Sequence, residues 1–204
     1  MSSLAPSPAF AFVGGDPALD LVNTVDWTGA GPAGERLVDY PDLLTWAAAA
    51  RLLPPAALER LRRRAAAHPR EARAALARAL RVRALLRAVF RGGPGAVPAI
   101  RELDPLVREA SGRLTLAPAG RQGARLRWEW QGADRRLDAP LWPVLRSAAA
   151  LLVSEEADRI RTCDGEDCGW MYVDRSRNGL RRWCQMRTCG TVEKSRRRRE
   201  GHTD

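Results

Sequence analysis

Apolar residues recur every three or four positions from Ala18 to about residue 112, the spacing of helices that bury one face. Asp16 followed by Pro17 marks the first helix start. Further helices are predicted over YPDLLTWAAAARLL, PAALERLRRRAAA and the long segment HPREARAALARALRVRALLRAVFRGGPG, which Gly92 and Gly93 end, with GAGPAGE as a loop before them. AVPAIRELDPLVREASG predicts a shorter helical stretch broken near Pro105. The first part of the chain is therefore predicted to be helical.

The period changes to two residues in RLTLAP and ARLRWEW, which predicts a β-hairpin at about residues 113–131 with Leu126, Trp128 and Trp130 on one side. Helical spacing returns in LWPVLRSAAALLVSEEADRI. From Arg161 the composition shifts to Cys, Arg and Gly. The sequence thus predicts a mainly α fold with a small β-hairpin, divided into a helical domain (residues 1–158) and a small C-terminal module (residues 159–204).

All four cysteines lie in this module, as the pairs Cys163/Cys168 and Cys184/Cys189. Four residues separate the members of each pair, and fifteen residues separate the pairs. Two such knuckles supply the thiolates of a closed tetrahedral site, so we predict one structural zinc ion. A redox dithiol and a catalytic zinc fit the spacing less well, and a disulfide or free thiols remain as alternatives.

The formal net charge of +10 favours an anionic partner, first nucleic acid and then an acidic membrane surface. Arginine is abundant throughout, so only its local placement is informative. From Arg175 onward there are ten Lys/Arg against three acidic residues, and KSRRRRE follows the last cysteine. Some of these cations could simply balance the two excess negative charges of a zinc centre with four thiolate ligands.

No apolar run is long enough to span a membrane, and the first residues lack the pattern of a secretory signal. We therefore expect a cytoplasmic protein. Residues 1–158 contain no nucleophile with its base, no catalytic metal cluster and no phosphate loop, so an enzyme is not expected.

Around its four cysteines and near its start, the chain resembles a bacterial family that joins an N-terminal domain called ABATE to a C-terminal CGNR zinc finger. The finger pattern is matched by C-x4-C, by DRSRN at 174–178, by RRWC at 181–184, and by Met186 and the Cys-Gly at 189–190. FVGGDPALDLVNT at 12–24 matches the opening of the ABATE domain. Where the name motif has Asn and Arg after Cys-Gly, this chain has Thr191 and Val192.

The resemblance implies a DNA-binding regulator of transcription in the stress response. If about five phosphates are neutralised, the logarithm of affinity should fall with log salt at a slope of about −4 to −5. Asn178 could read adenine or cap a turn, and Trp170 and Trp183 could stack on bases, although a core role fits them better. A basic module that binds RNA or a protein is the alternative. The expected DNA contacts are Arg175, Arg177, Asn178, Arg181, Arg182, Lys194, Arg196 and Arg197.

The helical domain could serve as a dimeriser or as a sensor. Asp20, Asn23 and Thr24 share one face of the first predicted helix and could line a pocket for a small effector. The alternative, which we favour, is that these groups hydrogen-bond neighbouring loops. A homodimer is expected only because such regulators often read paired half-sites.

Overall fold

A computed structural model describes residues 10–28, 31–120 and 125–200. The fold is mainly α, as the sequence predicts, and helices follow one another through most of the described chain. They are α1 (Pro17–Val22), α2 (Tyr40–Ala49), α3 (Pro55–Ala67), α4 (Pro69–Arg91), α5 (Ala96–Ser111), α6 (Leu141–Leu152) and α7 (Thr191–Glu200).

The helix ends follow the capping residues that the sequence offers. The Asp16 carboxylate accepts a hydrogen bond from the Ala18 N–H at 2.8 Å and caps α1. Asp39 and Asp42 form a reciprocal capping box at the start of α2. Helix α4 ends at Gly92, whose φ of 68° is a conformation that L side chains rarely adopt. Local chemistry therefore fixes these boundaries.

Helix α5 continues through Pro105, so the predicted break near this residue is wrong. A proline inside a helix removes one hydrogen bond and crowds the preceding turn, at a cost of about 3 kcal/mol. Ala99 and Leu103 before the proline and Ala110 after it are all buried, and α5 packs against α4 and α6. Tertiary packing on both sides of Pro105 offsets the local cost.

Three antiparallel hairpins complete the described architecture. The hairpin predicted at about 113–131 is present. The pairs are β1 (Val25–Thr28) with β2 (Gly31–Glu35), β3 (Leu114–Pro118) with β4 (Leu126–Trp130), and β5 (Ile160–Thr162) with β6 (Met171–Val173).

Strand β2 lies where the sequence predicts a loop, so that prediction is wrong for residues 31–35; residues 29 and 30 lie outside the described ranges. Gly, Pro and Ala have little strand propensity, and no local sequence pattern predicts this strand. The hairpin is held by ion pairs instead. Asp26 of β1 pairs with Arg36 at 2.7 Å, and Glu35 pairs with Arg83 of α4.

The β3–β4 hairpin carries its apolar side chains on one face, and most of that face is exposed. Leu116 is 57% exposed, Leu126 61% and Trp128 57%. Trp130, at the end of the same face, packs against Trp142 of α6 with 6.2 Å between the ring centroids. The hairpin thus joins the core through Trp130.

One apolar core runs through α1 to α6 and continues into the C-terminal module. Leu19, Trp46 and Trp142 are buried in it, and so are Met171 and Val173 of β6. A 3₁₀ turn over residues 155–159 links α6 to β5, and the boundary expected near residue 158 falls within this turn. Strand β6 of the C-terminal module therefore also packs in the core of the helical domain.

Among the described helices, none combines the length and the apolarity needed to cross a membrane.

Candidate metal centre

The sulfur atoms of the four cysteines meet beside the β5–β6 hairpin. All four ligand atoms lie within 4.8 Å of one another. Cys184 Sγ is 3.7 Å from Cys168 Sγ and 3.6 Å from Cys189 Sγ. A zinc ion bound at about 2.3 Å by four tetrahedral sulfurs requires sulfur separations of about 3.8 Å. The four cysteines therefore form a site for one zinc ion.

The backbone around this site favours the thiolate form of Cys163. Cys163 Sγ accepts hydrogen bonds from the N–H of Cys184 at 3.2 Å and of Gly165 at 3.4 Å. The pKa of Cys163 is lowered, first by hydrogen bonds from the thiols of Cys168 and Cys184 and then by these two N–H groups. Thiolates are the form in which cysteine binds zinc.

The geometry argues against a disulfide and against a catalytic zinc ion. All four cysteines are free, and their separations are far from the roughly 2.05 Å of a disulfide. Four protein ligands also leave no open position on a tetrahedral zinc ion, which is the position that a catalytic site needs. The site is accordingly structural.

The first knuckle depends on a glycine. A Cβ at Gly165 would lie 3.2 Å from Cys168 Cβ and 3.3 Å from Cys189 Cβ, tighter than most real contacts. The turn is closed by a hydrogen bond from Cys168 N–H to the Gly165 carbonyl at 3.0 Å. Any side chain at this position would push the two cysteine pairs apart.

The second knuckle is a single π-helical turn, Met186–Gly190, that leads directly into α7. Thr191 Oγ1 donates to the Met186 carbonyl at 3.0 Å and so ties the turn to the helix. Val192 is 62% exposed. The two residues that depart from the CGNR motif thus supply a cap and an apolar surface side chain.

Two of the arginines expected to contact DNA make contacts within the protein. Arg175 pairs with Glu156 of the 3₁₀ turn at 2.5 Å and donates to the Gly15 carbonyl at 2.7 Å. Arg181 donates to the Cys184 carbonyl and stacks 4.0 Å from the centroid of the Tyr172 ring. Arg175 therefore links the finger to the helical domain. Arg181 stabilises the backbone at Cys184, in the second cysteine pair.

Two others lie in ion pairs within the finger. Arg182 pairs with Asp164 at 2.8 Å, with both side chains about half exposed. Arg196 pairs at 3.0 Å with Glu193, whose side chain is almost completely buried. Glu193 also accepts the Glu166 N–H at 3.2 Å, which fixes the start of α7 to the first knuckle. These arginines neutralise acidic groups close to the zinc site.

Four other cations of the finger are open to solvent. Arg177 and Lys194, both in the expected contact set, are exposed and form no ion pair with any side chain that the structure describes. The same is true of Arg187 and Arg198, which the sequence reasoning did not single out. The side chain of Arg197 lies outside the described part of the structure. No sequence signal separates paired from unpaired arginines.

The remaining polar and aromatic candidates make hydrogen bonds or packing contacts within the protein. Asn178 Oδ1 accepts the Leu180 N–H at 3.4 Å, which is the turn-capping arrangement. Trp170 donates to the Val25 carbonyl at 3.0 Å, and Trp183 packs against the cysteine cluster. Both tryptophans are partly buried, as expected for the small core of such a module.

The polar groups of Asp20, Asn23 and Thr24 are hydrogen-bonded within the protein, and only Asp20 lies inside α1. Asp20 accepts the Gly14 N–H at 2.8 Å, and Thr24 Oγ1 donates to the Leu21 carbonyl at 2.7 Å. The three residues thus fix neighbouring segments, which is the alternative that we favoured.

Asn23 bonds the finger directly. Its Nδ2 donates to the Met171 carbonyl and its Oδ1 accepts the Met171 N–H, both at 2.8 Å. Asn23 is therefore a bridge between the helical domain and strand β6.

Trp27 and Arg87, which the sequence analysis did not single out, contact Gly169, the residue that follows the zinc ligand Cys168. The Trp27 carbonyl accepts the Gly169 N–H at 3.2 Å, and Arg87 of α4 donates to the Gly169 carbonyl at 2.8 Å. The Arg87 guanidinium also lies 3.6 Å from the centroid of the Trp27 ring. Burial lowers the pKa of Arg87 to about 10, so it is still charged at neutral pH.

Comparison with family models gives two matches that together span most of the chain. Residues 15–155 match the ABATE model, described as "Putative stress-induced transcription regulator". Residues 159–202 match the model of the CGNR zinc finger. No curated protein matches the sequence.

Proposed function

Because the chain belongs to the ABATE family and carries a CGNR zinc finger, we propose that it is a transcription regulator that binds double-stranded DNA through the finger. The regulator-like assignment comes from the family. The binding of DNA, its site on the finger and a role in the stress response are the parts that need a test.

The observation that supports DNA binding is the set of solvent-exposed cations in the finger that form no ion pair with a described side chain. Arg177 lies in the loop after β6, Arg187 in the π-helical turn, and Lys194 and Arg198 one helical turn apart on α7. Positions four residues apart share a helix face, so Lys194 and Arg198 project together. Unpaired cations can bind phosphate without first breaking an internal ion pair.

This division of the arginines changes the expected salt dependence. Four phosphate contacts would give a slope of log affinity against log salt of about −3 to −4 for duplex DNA. Arg182 is the next candidate, because its half-exposed pair with Asp164 can exchange for a phosphate. Arg175 and Arg181 contribute indirectly, by holding the finger in place.

The helical domain would position the finger and respond to a small effector, and a homodimer would place two fingers on paired half-sites. The hydrogen bonds at Asn23, Trp27 and Arg87 support the positioning role. These hydrogen bonds connect the helical domain to the finger at the first knuckle and at β6. The two domains should therefore move as one unit.

The test is selection from a random duplex DNA pool at physiological salt, followed by salt titration of the enriched sequence. The double variant Arg177→Ala/Lys194→Ala should reduce the steepness of the slope by about 2, because two phosphate contacts are lost. The matched control is Arg70→Ala/Arg73→Ala, which removes the same charge from exposed positions on α4. The control should leave the slope unchanged.

Absence of an enriched motif, together with equal affinity for duplex DNA and RNA, would contradict a sequence-specific DNA reader. That result would favour the alternative, a basic zinc finger that binds RNA or an acidic protein. Equal effects of the two double variants would show that net charge, rather than the surface of the finger, governs binding.

A further inference from the structure

A cavity of about 310 Å³ lies between the β1–β2 hairpin and α4. Its apolar wall includes Trp27, Pro32 and Leu80, and its polar wall is the ion pair of Glu35 and Arg83. The volume is at the lower end of the range for small-molecule sites, about 300–1,000 Å³. The cavity is separate from the zinc site and large enough for a one- or two-ring molecule.

The polar wall of the cavity presents an acceptor rather than a free charge. The Arg83 side chain is only 10% exposed. Its guanidinium forms an ion pair with Glu35 and donates a hydrogen bond to Thr24 Oγ1 at 3.0 Å. Glu35 keeps 36% of its side chain exposed. Its Oε1 accepts from Arg83 and from the Leu37 N–H at 2.8 Å, and its Oε2 accepts from Arg83, so the lone pair left for a ligand is on Oε2. Burial raises the pKa of Glu35, but the hydrogen bonds and charge of Arg83 together with the backbone N–H groups of Leu37 and Arg36 lower it below its usual value, so the group stays a carboxylate.

These walls select a neutral, flat ligand with one hydrogen-bond donor. An anion would meet Glu35, and a cation would meet Arg83 beside it, so a full charge of either sign is disfavoured. The indole of Trp27 and the ring of Pro32 offer flat apolar surfaces. An N–H or O–H group on the ligand can donate to Glu35.

Binding of a ligand in this cavity would affect the zinc site through Trp27. A Cβ at Gly169 would lie 2.6 Å from Trp27 Cβ, so the two backbones are in direct contact. The Trp27 carbonyl accepts the Gly169 N–H, and Arg87 contacts both the Trp27 ring and the Gly169 carbonyl. Gly169 follows the zinc ligand Cys168. A shift of Trp27 must therefore move or strain the first knuckle.

We propose that this cavity binds a small neutral aromatic molecule with a single N–H or O–H donor, and that Trp27 transmits its occupancy to the first cysteine knuckle. The site is a different one from the Asp20, Asn23 and Thr24 cluster. As a regulatory input the proposal rests on the proposed function, but its test requires no DNA.

The test uses indole as the probe and the full-length, zinc-loaded protein labelled with ¹⁵N. The Trp27 side-chain signal and the Gly169 backbone signal should shift together and saturate with one Kd. The donor-blocked probe 1-methylindole should bind at least about tenfold more weakly, as expected when a hydrogen bond to a carboxylate is lost.

Ala84→Phe fills the cavity from an exposed position on α4 and should weaken indole binding at least about tenfold, because the ring loses its apolar contact. Ala77→Phe is the matched control, since Ala77 is exposed on the same helix and does not line the cavity; it should leave the Kd unchanged.

Failure of indole to shift Trp27 in a saturable way, or equal loss in both phenylalanine variants, would overturn the site. Equal affinity for 1-methylindole would overturn the role of Glu35. A Trp27 shift without a Gly169 shift would overturn the transmission. If these signals behave as expected while DNA selection yields no motif, the site stands and the proposed function fails.

Discussion

Replacement of Asn23 by alanine should destabilise the whole protein, because it removes the paired hydrogen bonds that join α1 to β6. Asn23 is 2% exposed, so water cannot easily replace its amide. The change leaves the N–H and the carbonyl of Met171 without their partner, at about 1–3 kcal/mol for each buried group. We expect a total loss of about 2–5 kcal/mol in the free energy of unfolding.

The assay is urea or thermal unfolding of the zinc-loaded protein. At about 2–4 °C per kcal/mol for a chain of this size, the Tm should fall by roughly 4–20 °C. Asn178→Ala is the matched control, because Asn178 is exposed and its bonds are long; it should cost less than about 0.5 kcal/mol. Equal, small effects of both variants would refute the bridging role of Asn23.

Three further predictions follow from the zinc site and its surroundings. Cys184→Ser should release zinc, measured by metal analysis, and unfold the finger; the helices should persist with a lower Tm, because Met171 and Val173 lose their support. Gly169→Ala should lower the Tm without removing a zinc ligand, because the new Cβ would lie 2.6 Å from Trp27 Cβ; an unchanged Tm would mean that the backbones can separate freely. Burial raises the pKa of Asp20 to about 6, so the folded protein binds a proton that the unfolded chain releases near pH 4. The contribution of Asp20 to stability is then fully present below pH 4 and is lost, by roughly 3 kcal/mol in all, as the pH rises through 6. Asp20→Asn should remove this fall, as measured by urea unfolding across that range, and an identical pH profile in both proteins would contradict it.

The sequence predicts the parts of the fold that depend on neighbouring residues. The cap at Asp16 and the stop at Gly92 act within one helical turn, and the spacing of the cysteines is itself the signature of the zinc site. These features could be read because the chemistry that creates them lies within a few residues of chain.

The parts that could not be predicted depend on distant partners. Strand β2 has little propensity of its own, and Pro105 is tolerated because neighbouring helices pack around it. Asn23 looks like an ordinary helix-end residue, but its partner lies 148 positions away. Arg175 and Arg177 are two residues apart and similar in sequence context, yet Arg175 holds Glu156 and Arg177 faces solvent. Only the three-dimensional structure distinguishes them.

The contribution of β6 to the helical core has a consequence for how the protein is made. Translation delivers α1 to α6 first, and the wall that Met171 and Val173 complete is still open when α6 leaves the ribosome. A nascent chain that stops before residue 171 would expose that apolar wall and the side chain of Asn23 to chaperones and proteases. Capture of zinc by the last cysteines then fastens the strand that closes the core, so metal supply in the cell would govern how much of the newly made protein survives.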